Sequence, residues 1–257
     1  MSVANAIWLS FYGYSLNIKS NFNRMKNFTP FHFKSIPLFV LIAFTALTSC
    51  KKTETADPNI SYLRVINASP SLATYNAYFN GSMVNSAALP FGGSAAYLSY
   101  AAGAYSLKFT TASSAESLLT KTVTLNARTY YSSYLINKPA ALDVYTIGDD
   151  LSIPSTDKAY IRFINLSPDA PALDLAKTSA TTTLITNKAY KNASGFIAVD
   201  AGTYTLDAKE TSSGTVKATS ASTSFAAGYH YDIICGGLVT PANETERPLS
   251  LQVILIK

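Results

Sequence analysis

Downstream of Cys50 the chain holds one histidine, His230, and one further cysteine, Cys235. His230 and Asp232 stand two residues apart in an alternating run, so they share a strand face. Acyl transfer by serine, histidine and aspartate needs an imidazole within reach of both partners. A same-face neighbour does not supply that, and no Gly-x-Ser-x-Gly elbow accompanies it. Position 230 reads instead as an exposed strand site. Cys235 closes the apolar run Tyr231-Asp232-Ile233-Ile234-Cys235 and reads as a small buried thiol. One histidine and one cysteine cannot close a zinc site. Asp149, Asp150 and Asp157 lack EF-hand spacing and read as a solvated acidic connector. Glycosidase chemistry needs two opposed carboxylates, whereas Glu116, Glu210, Glu244 and Glu246 fall in expected loops. No phosphate-cradling glycine loop precedes a helix. The reading is therefore non-enzymatic, with no catalytic residue, metal ligand or cofactor assigned.

Tyrosine is the residue type left to do binding chemistry. From Tyr62 onward ten tyrosines fall before residue 150 and five after it. If Tyr131 faces a core, alternation turns Tyr130 and Tyr134 outward; if Leu98 and Tyr100 face in, Tyr97 faces out. A tyrosine ring has an apolar face and a polar tip and suits interfaces. Tyr97, Tyr130 and Tyr134 are thus the candidate binding residues, able to stack on sugar rings or on a protein partner. The competing expectation is cross-strand aromatic pairing that only stabilises a sheet.

The elements that would carry these residues are strands. Tyr62-Leu63-Arg64-Val65-Ile66-Asn67-Ala68-Ser69-Pro70 matches Tyr160-Ile161-Arg162-Phe163-Ile164-Asn165-Leu166-Ser167-Pro168. Leu98 to Tyr105 matches Ile197 to Tyr204, and Leu125 to Tyr131 matches Phe225 to Tyr231. The offset drifts only from 98 to 100 residues, so the same elements recur in the same order. A period this long marks duplicated domains, since solenoid repeats run about 20–50 residues. Leu63, Val65 and Asn67 alternate with Arg64 and Ile66, a period of two. Strands are expected near 61–67, 74–79, 95–100, 104–110, 118–125, 129–137 and 142–147. In the second copy they are expected near 159–165, 172–177, 182–186, 195–199, 203–209, 216–225, 229–235 and 249–256. Asn80-Gly81 predicts a hairpin turn, because both residues tolerate positive φ.

About seven short strands per copy predict an all-β chain of two tandem immunoglobulin-like β-sandwich domains, 60–154 and 155–257; a jelly roll or another sandwich fits the same pattern. In Leu125…Tyr131 and Phe225…Tyr231 an apolar residue, a tight turn and a tyrosine resemble the tyrosine corner of such folds. Arg128 stands where the second copy has Gly228, so the first turn should differ or be strained. The repeated Asn-x-Ser-Pro and the later Ala-Gly-x-Tyr resemble the domain of unknown function 4397, found in tandem in envelope lipoproteins of Bacteroidetes-type bacteria. Residues 165–174 carry the match best, while Ser71 to Asn76 depart from it. The resemblance implies a β-sandwich in the envelope, with no established activity.

The apolar run Ile36 to Leu47 is shorter than the ~20 residues a membrane-crossing helix needs. With Lys26 and Lys34 before it and Leu47-Thr48-Ser49-Cys50 after it, it resembles a bacterial lipoprotein signal peptide over 25–49. That resemblance implies acyl chains on Cys50 and anchoring in the cell envelope, at the outer membrane. Met25 reads as the start, with 1–24 mis-assigned or disordered, and 50–59 as a polar tether. Lys19, Arg24, Lys26 and Lys34 precede Cys50 and no acidic residue does, leaving sixteen basic against fifteen acidic groups. No basic stripe remains for nucleic acid, whose binding rests on phosphate neutralisation. The expected role is non-catalytic binding or scaffolding, with an envelope protein or glycan as partner. The alternative is a glycan-binding accessory lipoprotein of a polysaccharide-uptake system.

Overall fold

The computed structural model describes residues 57–257. Residues 1–24, the signal segment 25–49, Cys50 and most of the tether lie outside the described residues. The regular secondary structure of the described residues is strand throughout but for one 3-10 turn, Pro139–Ala141. The first half contains β1 (Ile60–Asn67), β2 (Tyr75–Phe79), β3 (Ser82–Met83), β4 (Leu98–Ala101), β5 (Gly103–Thr111), β6 (Leu119–Leu125), β7 (Tyr130–Ile136) and β8 (Asp143–Asp149). The second contains β9 (Lys158–Asn165), β10 (Leu173–Lys177), β11 (Thr183–Lys188), β12 (Asn192–Ala193), β13 (Ile197–Asp200), β14 (Gly202–Tyr204), β15 (Leu206–Glu210), β16 (Val216–Thr219), β17 (Thr223–Phe225), β18 (His230–Gly236) and β19 (Ser250–Leu255).

In the first half the sheets run β4-β1-β7-β8 and β3-β2-β5-β6. In the second, β9-β18-β19 is flanked by β12 and β13, both on β9, and β11-β10-β15-β16 forms another sheet. The parallel pairs correspond: β1 runs beside β7 with Tyr62 opposite Tyr130, and β9 beside β18 with Tyr160 opposite His230. Leu63, Val65, Tyr75, Phe79, Leu107, Phe109, Leu125 and Leu135 join both sheets of the first half in one apolar cluster. Ile161, Phe163, Leu173, Leu175, Leu206, Phe225, Ile233 and Leu251 do so in the second.

A third cluster belongs to both halves. Ile66, Ala68, Tyr134 and Ile136 pack against Ile164, Leu166, Ile234 and Ile254. These side chains point away from their own clusters, because each alternates along its strand with residues that point in. The two central sheets therefore meet back to back, and the described residues belong to a single compact unit. Burying one such isoleucine is worth about 1.5–3 kcal/mol. The ion pairs around the rim, Lys191–Asp143 at 2.8 Å and Lys138–Glu246 at 2.6 Å, are partly exposed and worth about 0–1 kcal/mol each. The apolar seam, not its rim, holds the halves together.

The repeated sequence motifs are structural. Asn67 and Asn165 are fully buried, and each side-chain oxygen accepts the N–H of the serine two residues on, at 3.0 and 3.1 Å. Each amide group donates to carbonyls of a neighbouring segment, Leu89 in one half and Pro171 and Lys188 in the other. Asn80 and Gly81 both have positive φ, 49° and 85°, as their hairpin turn requires. The Tyr131 hydroxyl accepts the Asn126 N–H at 3.2 Å and the Tyr231 hydroxyl accepts the Ala226 N–H at 2.8 Å. These are the contacts of a tyrosine corner. The segments expected as single strands over 203–209 and 216–225 are each two. Thr205 separates β14, which pairs with β17, from β15, which pairs with β10, and Ser220 bonds back to Leu206 before β17 leaves β15 for β14.

The turn before each tyrosine is the same in both halves. Arg128 has φ 60° and Gly228 has φ 80°. Their N–H groups donate to Ile60 and Lys158 carbonyls, each at 2.7 Å. Arg128 is thus held left-handed, at a cost of about 1–2 kcal/mol for a residue with a Cβ. A Cβ at Gly228 would meet nothing within 4 Å, so only backbone conformation distinguishes the two sites. Urea titrations should show Gly228→Ala losing about 1 kcal/mol and Arg128→Gly gaining about 0.5–1 kcal/mol. Shifts of the same sign would contradict a shared left-handed turn.

Candidate functional site

Among the described residues the seam also holds four of the five buried Asp and Arg side chains, the fifth being Asp207 on β15. Arg64 on β1 lies between Leu63 and Val65, which face the first cluster, so its side chain faces the other half. Arg162 on β9 does the same between Ile161 and Phe163. Across the parallel ladders Arg64 stands opposite Ser132 and Arg162 opposite Asp232. Arg64 donates through Nε to Ser132 Oγ at 2.7 Å and through Nη2 to Asp232 Oδ2 at 2.5 Å. Arg162 donates through Nε to Asp232 Oδ1 at 2.8 Å and through Nη1 to the Gly148 carbonyl at 3.2 Å. Its Nη2 lies 2.7 Å from Asp149 Oδ1, off the hydrogen-bonding line. The Tyr134 hydroxyl donates to Asp232 Oδ2 at 2.5 Å, and Ser132 Oγ and the Tyr97 hydroxyl donate to Asp149 Oδ2 at 2.7 and 2.6 Å.

Two guanidinium groups and two carboxylates thus make a neutral set, with Arg64, Arg162 and Asp232 at most 3% exposed. Burial alone would lower the pKa of each arginine, but Asp232, Tyr134 and Asp149 outweigh it and hold both above the ordinary guanidinium value. Burial raises the Tyr134 hydroxyl well above a free phenol, and the Asp232 charge raises it further. Burial likewise raises Tyr97, against the lowering effect of Arg64. Both guanidinium groups and both hydroxyls therefore keep their protons over the physiological range. The set can orient and fasten.

The sequence expectations meet this geometry unevenly. Tyr97 and Tyr130 do come together, edge to face at 5.2 Å, and Tyr62 stacks on Tyr130 at 4.4 Å. All three are half-buried, and the Lys257 ammonium sits 5.4 Å from the Tyr130 ring centre. Tyr134 does not join them. It points away from its own core as alternation requires, yet it is 0% exposed because the second half covers that face. The expectation that it faces solvent is corrected on that ground. Asp149 is likewise no solvated connector: it ends β8, and its carboxylate is buried against Arg162, Ser132 and Tyr97. His230 is buried too, not exposed. Its ring stacks on Tyr160 at 4.8 Å, meets Phe196 edge-on at 4.9 Å, and its Nε2 lies 3.0 Å from the Ser152 carbonyl. That contact makes Nε2 the protonated nitrogen of a neutral ring. Cys235 is buried as expected, and burial pushes its thiol up to about 12.

Sequence reasoning passed over Arg64, Arg162 and Asp232 as site residues. A signal was present. Each is a single charge inside an apolar strand, and the two arginines occupy the same place in the repeated motif.

Residues 61–176 match the model of a family described as Domain of unknown function (DUF4397), a span running from β1 to the end of β10. No curated protein matches the chain. Solved structures similar to it include a streptococcal virulence factor that binds alpha-glucan, with 12% identity, a TM-score of 0.24 and coverage of 68% of this chain and 93% of that one. Another is a family CBM26 module of Eubacterium rectale Amy13K in complex with maltoheptaose, with 9% identity, a TM-score of 0.24 and coverage of 76% and 96%. A leucine-rich repeat protein from Bacteroides thetaiotaomicron shares 13% identity at a TM-score of 0.21, covering 74% of this chain and 27% of its own. At these scores no shared ligand follows.

Asp232→Ala leaves two buried guanidinium groups without their main partner. It should cost about 3–5 kcal/mol in chemical denaturation, and Tyr134→Phe about 1–2 kcal/mol. A loss under 1 kcal/mol for Asp232→Ala would mean that water already reaches the seam. His230 yields a pH effect. Burial, opposed by the Ser152 and Asp150 contacts and aided by Lys257 and Arg162, holds its folded pKa below the ordinary 6.5. The unfolded chain therefore binds the proton more readily, and stability falls as pH drops below about 6.5 until the folded pKa is passed. Melts between pH 8 and pH 5 should show that fall in the wild type and a smaller one in His230→Phe. Identical pH profiles would contradict it.

Proposed function

We propose that this protein is a lipid-anchored component of the cell envelope, at the outer membrane, with a non-catalytic binding or scaffolding role. In this reading Cys50 carries acyl chains, and 50–59 is the tether. Two tandem copies of an immunoglobulin-like unit then form the body beyond it. The sequence around Cys50 supports the anchor, since each buried CH₂ of an acyl chain contributes about 0.8 kcal/mol and several chains together hold durably. The described chain begins in keeping with this: Asp57 to Asn59 are exposed, leaving the tether end clear of the body. The matched parallel pairs, tyrosine corners and Asn-x-Ser turns support two copies of one unit.

The observation that carries the non-catalytic role is the seam. Asp232 and Asp149 are buried there and engaged by arginine and hydroxyl donors, while His230 and Cys235 are buried within the second half. Metabolic labelling with radioactive palmitate should mark the wild type and leave Cys50→Ser unmarked. An unmarked wild type would end the anchoring reading, and turnover of any envelope polysaccharide by the purified protein would end the non-catalytic one.

One observation favours the glycan-binding alternative. Tyr62, Tyr97 and Tyr130 form a half-exposed aromatic cluster beside Lys257, and aromatic rings of this kind present an apolar face and a polar tip. A glycan array should then show saturable binding that Tyr130→Ala abolishes. Tyr134→Ala cannot serve as a probe, because it opens the seam. Absence of binding across the array would leave scaffolding as the role.

A further inference from the structure

Sheet edges expose unpaired backbone groups, and soluble proteins protect them with short strands, charges, prolines or bulges. Among the described residues nearly every edge strand here is protected. β3 and β12 have two residues each, β4 and β13 four, and β14 and β17 three. β6 carries Lys121, β8 carries Asp143 and Asp149, β11 carries Lys188 and β16 carries Lys217. β19 is the exception. It is six residues long, Ser-Leu-Gln-Val-Ile-Leu, with no charge, proline or glycine, and its one ladder is with β18.

The free side of β19 is open. The N–H of Ile256 donates to the His230 carbonyl on β18, so by the two-residue period of an antiparallel ladder the amides of Leu251, Val253 and Leu255 point the other way. A trough of about 380 Å³ runs there, lined by four consecutive residues, Leu251 to Ile254, and walled by Phe91 and Thr223. Consecutive residues line a trough only when a strand presents its edge to it. At the end of this edge Leu255 is 54% exposed and Tyr229 47% exposed. They sit diagonally on one face, since Leu255 stands opposite Tyr231.

We infer that β19 is an interaction surface whose partner is β19 of a second copy of this chain, paired antiparallel about a two-fold axis through Val253. The edge is complementary to itself. A two-fold at Val253 sets Leu251 opposite Leu255 of the mate and Gln252 opposite Ile254, so apolar side chains meet on one face and no charge meets a like charge. The outward amides are those of the hydrogen-bonded pairs in that register, giving about six new backbone bonds. The pairing also covers Leu255, and a two-fold contact closes on itself instead of propagating into a fibre.

Sedimentation equilibrium of the full chain in density-matched detergent tests this. The wild type should reach the mass of two chains as concentration rises, and Leu255→Lys should stay at one chain with an unchanged melting temperature. Hydrogen exchange on the wild type gives a second readout. The amides of Leu251, Val253 and Leu255 should be protected at high concentration and exposed on dilution, which decides the matter even if the variant folds poorly. A single-chain mass at every concentration would overturn the inference. So would a two-chain species in which those three amides stay unprotected.

Discussion

A guanidinium group taken out of water has to meet a carboxylate, because the desolvation of an unpaired ion exceeds what packing returns. In this protein two such groups, Arg64 and Arg162, are carried into one seam by strands whose other faces are already committed to separate cores. Asp232 lies between them and serves both. That requirement fixes more than a pair of contacts. Asp232 can reach Arg64 only if the second half is set against the first in one register, and the apolar residues Ile66, Ile136, Ile164 and Ile234 then have that same register in which to pack. The apolar contacts and the ion set thus share one register.

The same constraint fixes the state of the buried polar groups. Carboxylates that accept from two or three donors in a dry seam have no lone pair turned to solvent, and phenols raised by burial do not ionise near neutral pH. Burial lowers the pKa of His230 and keeps Cys235 a thiol. Outside the seam lie a half-buried tyrosine cluster and the bare edge of β19.

Much of the architecture was legible in the chain. The period of two placed the long strands, because in these the residues facing a core are apolar whatever lies on the other side, while the two-residue β3 and β12 carry no such pattern. Asn80-Gly81 identified its turn, since only residues tolerating positive φ fit there. The tyrosines before and within β7 and β18 showed how each corner would be pinned. The failures share one physical cause. Alternation says which side chains turn away from a core, not what lies beyond them. Tyr134 does turn to the outer face, but that face meets the other half. His230 turns outward too and is covered by Phe196 and the Ser152 carbonyl, and Asp149, expected in a solvated connector, ends β8 against Arg162. The split between β16 and β17 was hidden because the change of partner depends on Ser220 bonding to Leu206, a contact between distant residues.

The central claim is that the two halves behave as one body. Differential scanning calorimetry measures this directly, by comparing the heat absorbed on unfolding with the heat implied by the sharpness of the transition. A single transition with the two enthalpies equal is the predicted result. Two resolved transitions, or a calorimetric enthalpy near twice the van't Hoff value, would show halves that unfold independently and would contradict the account.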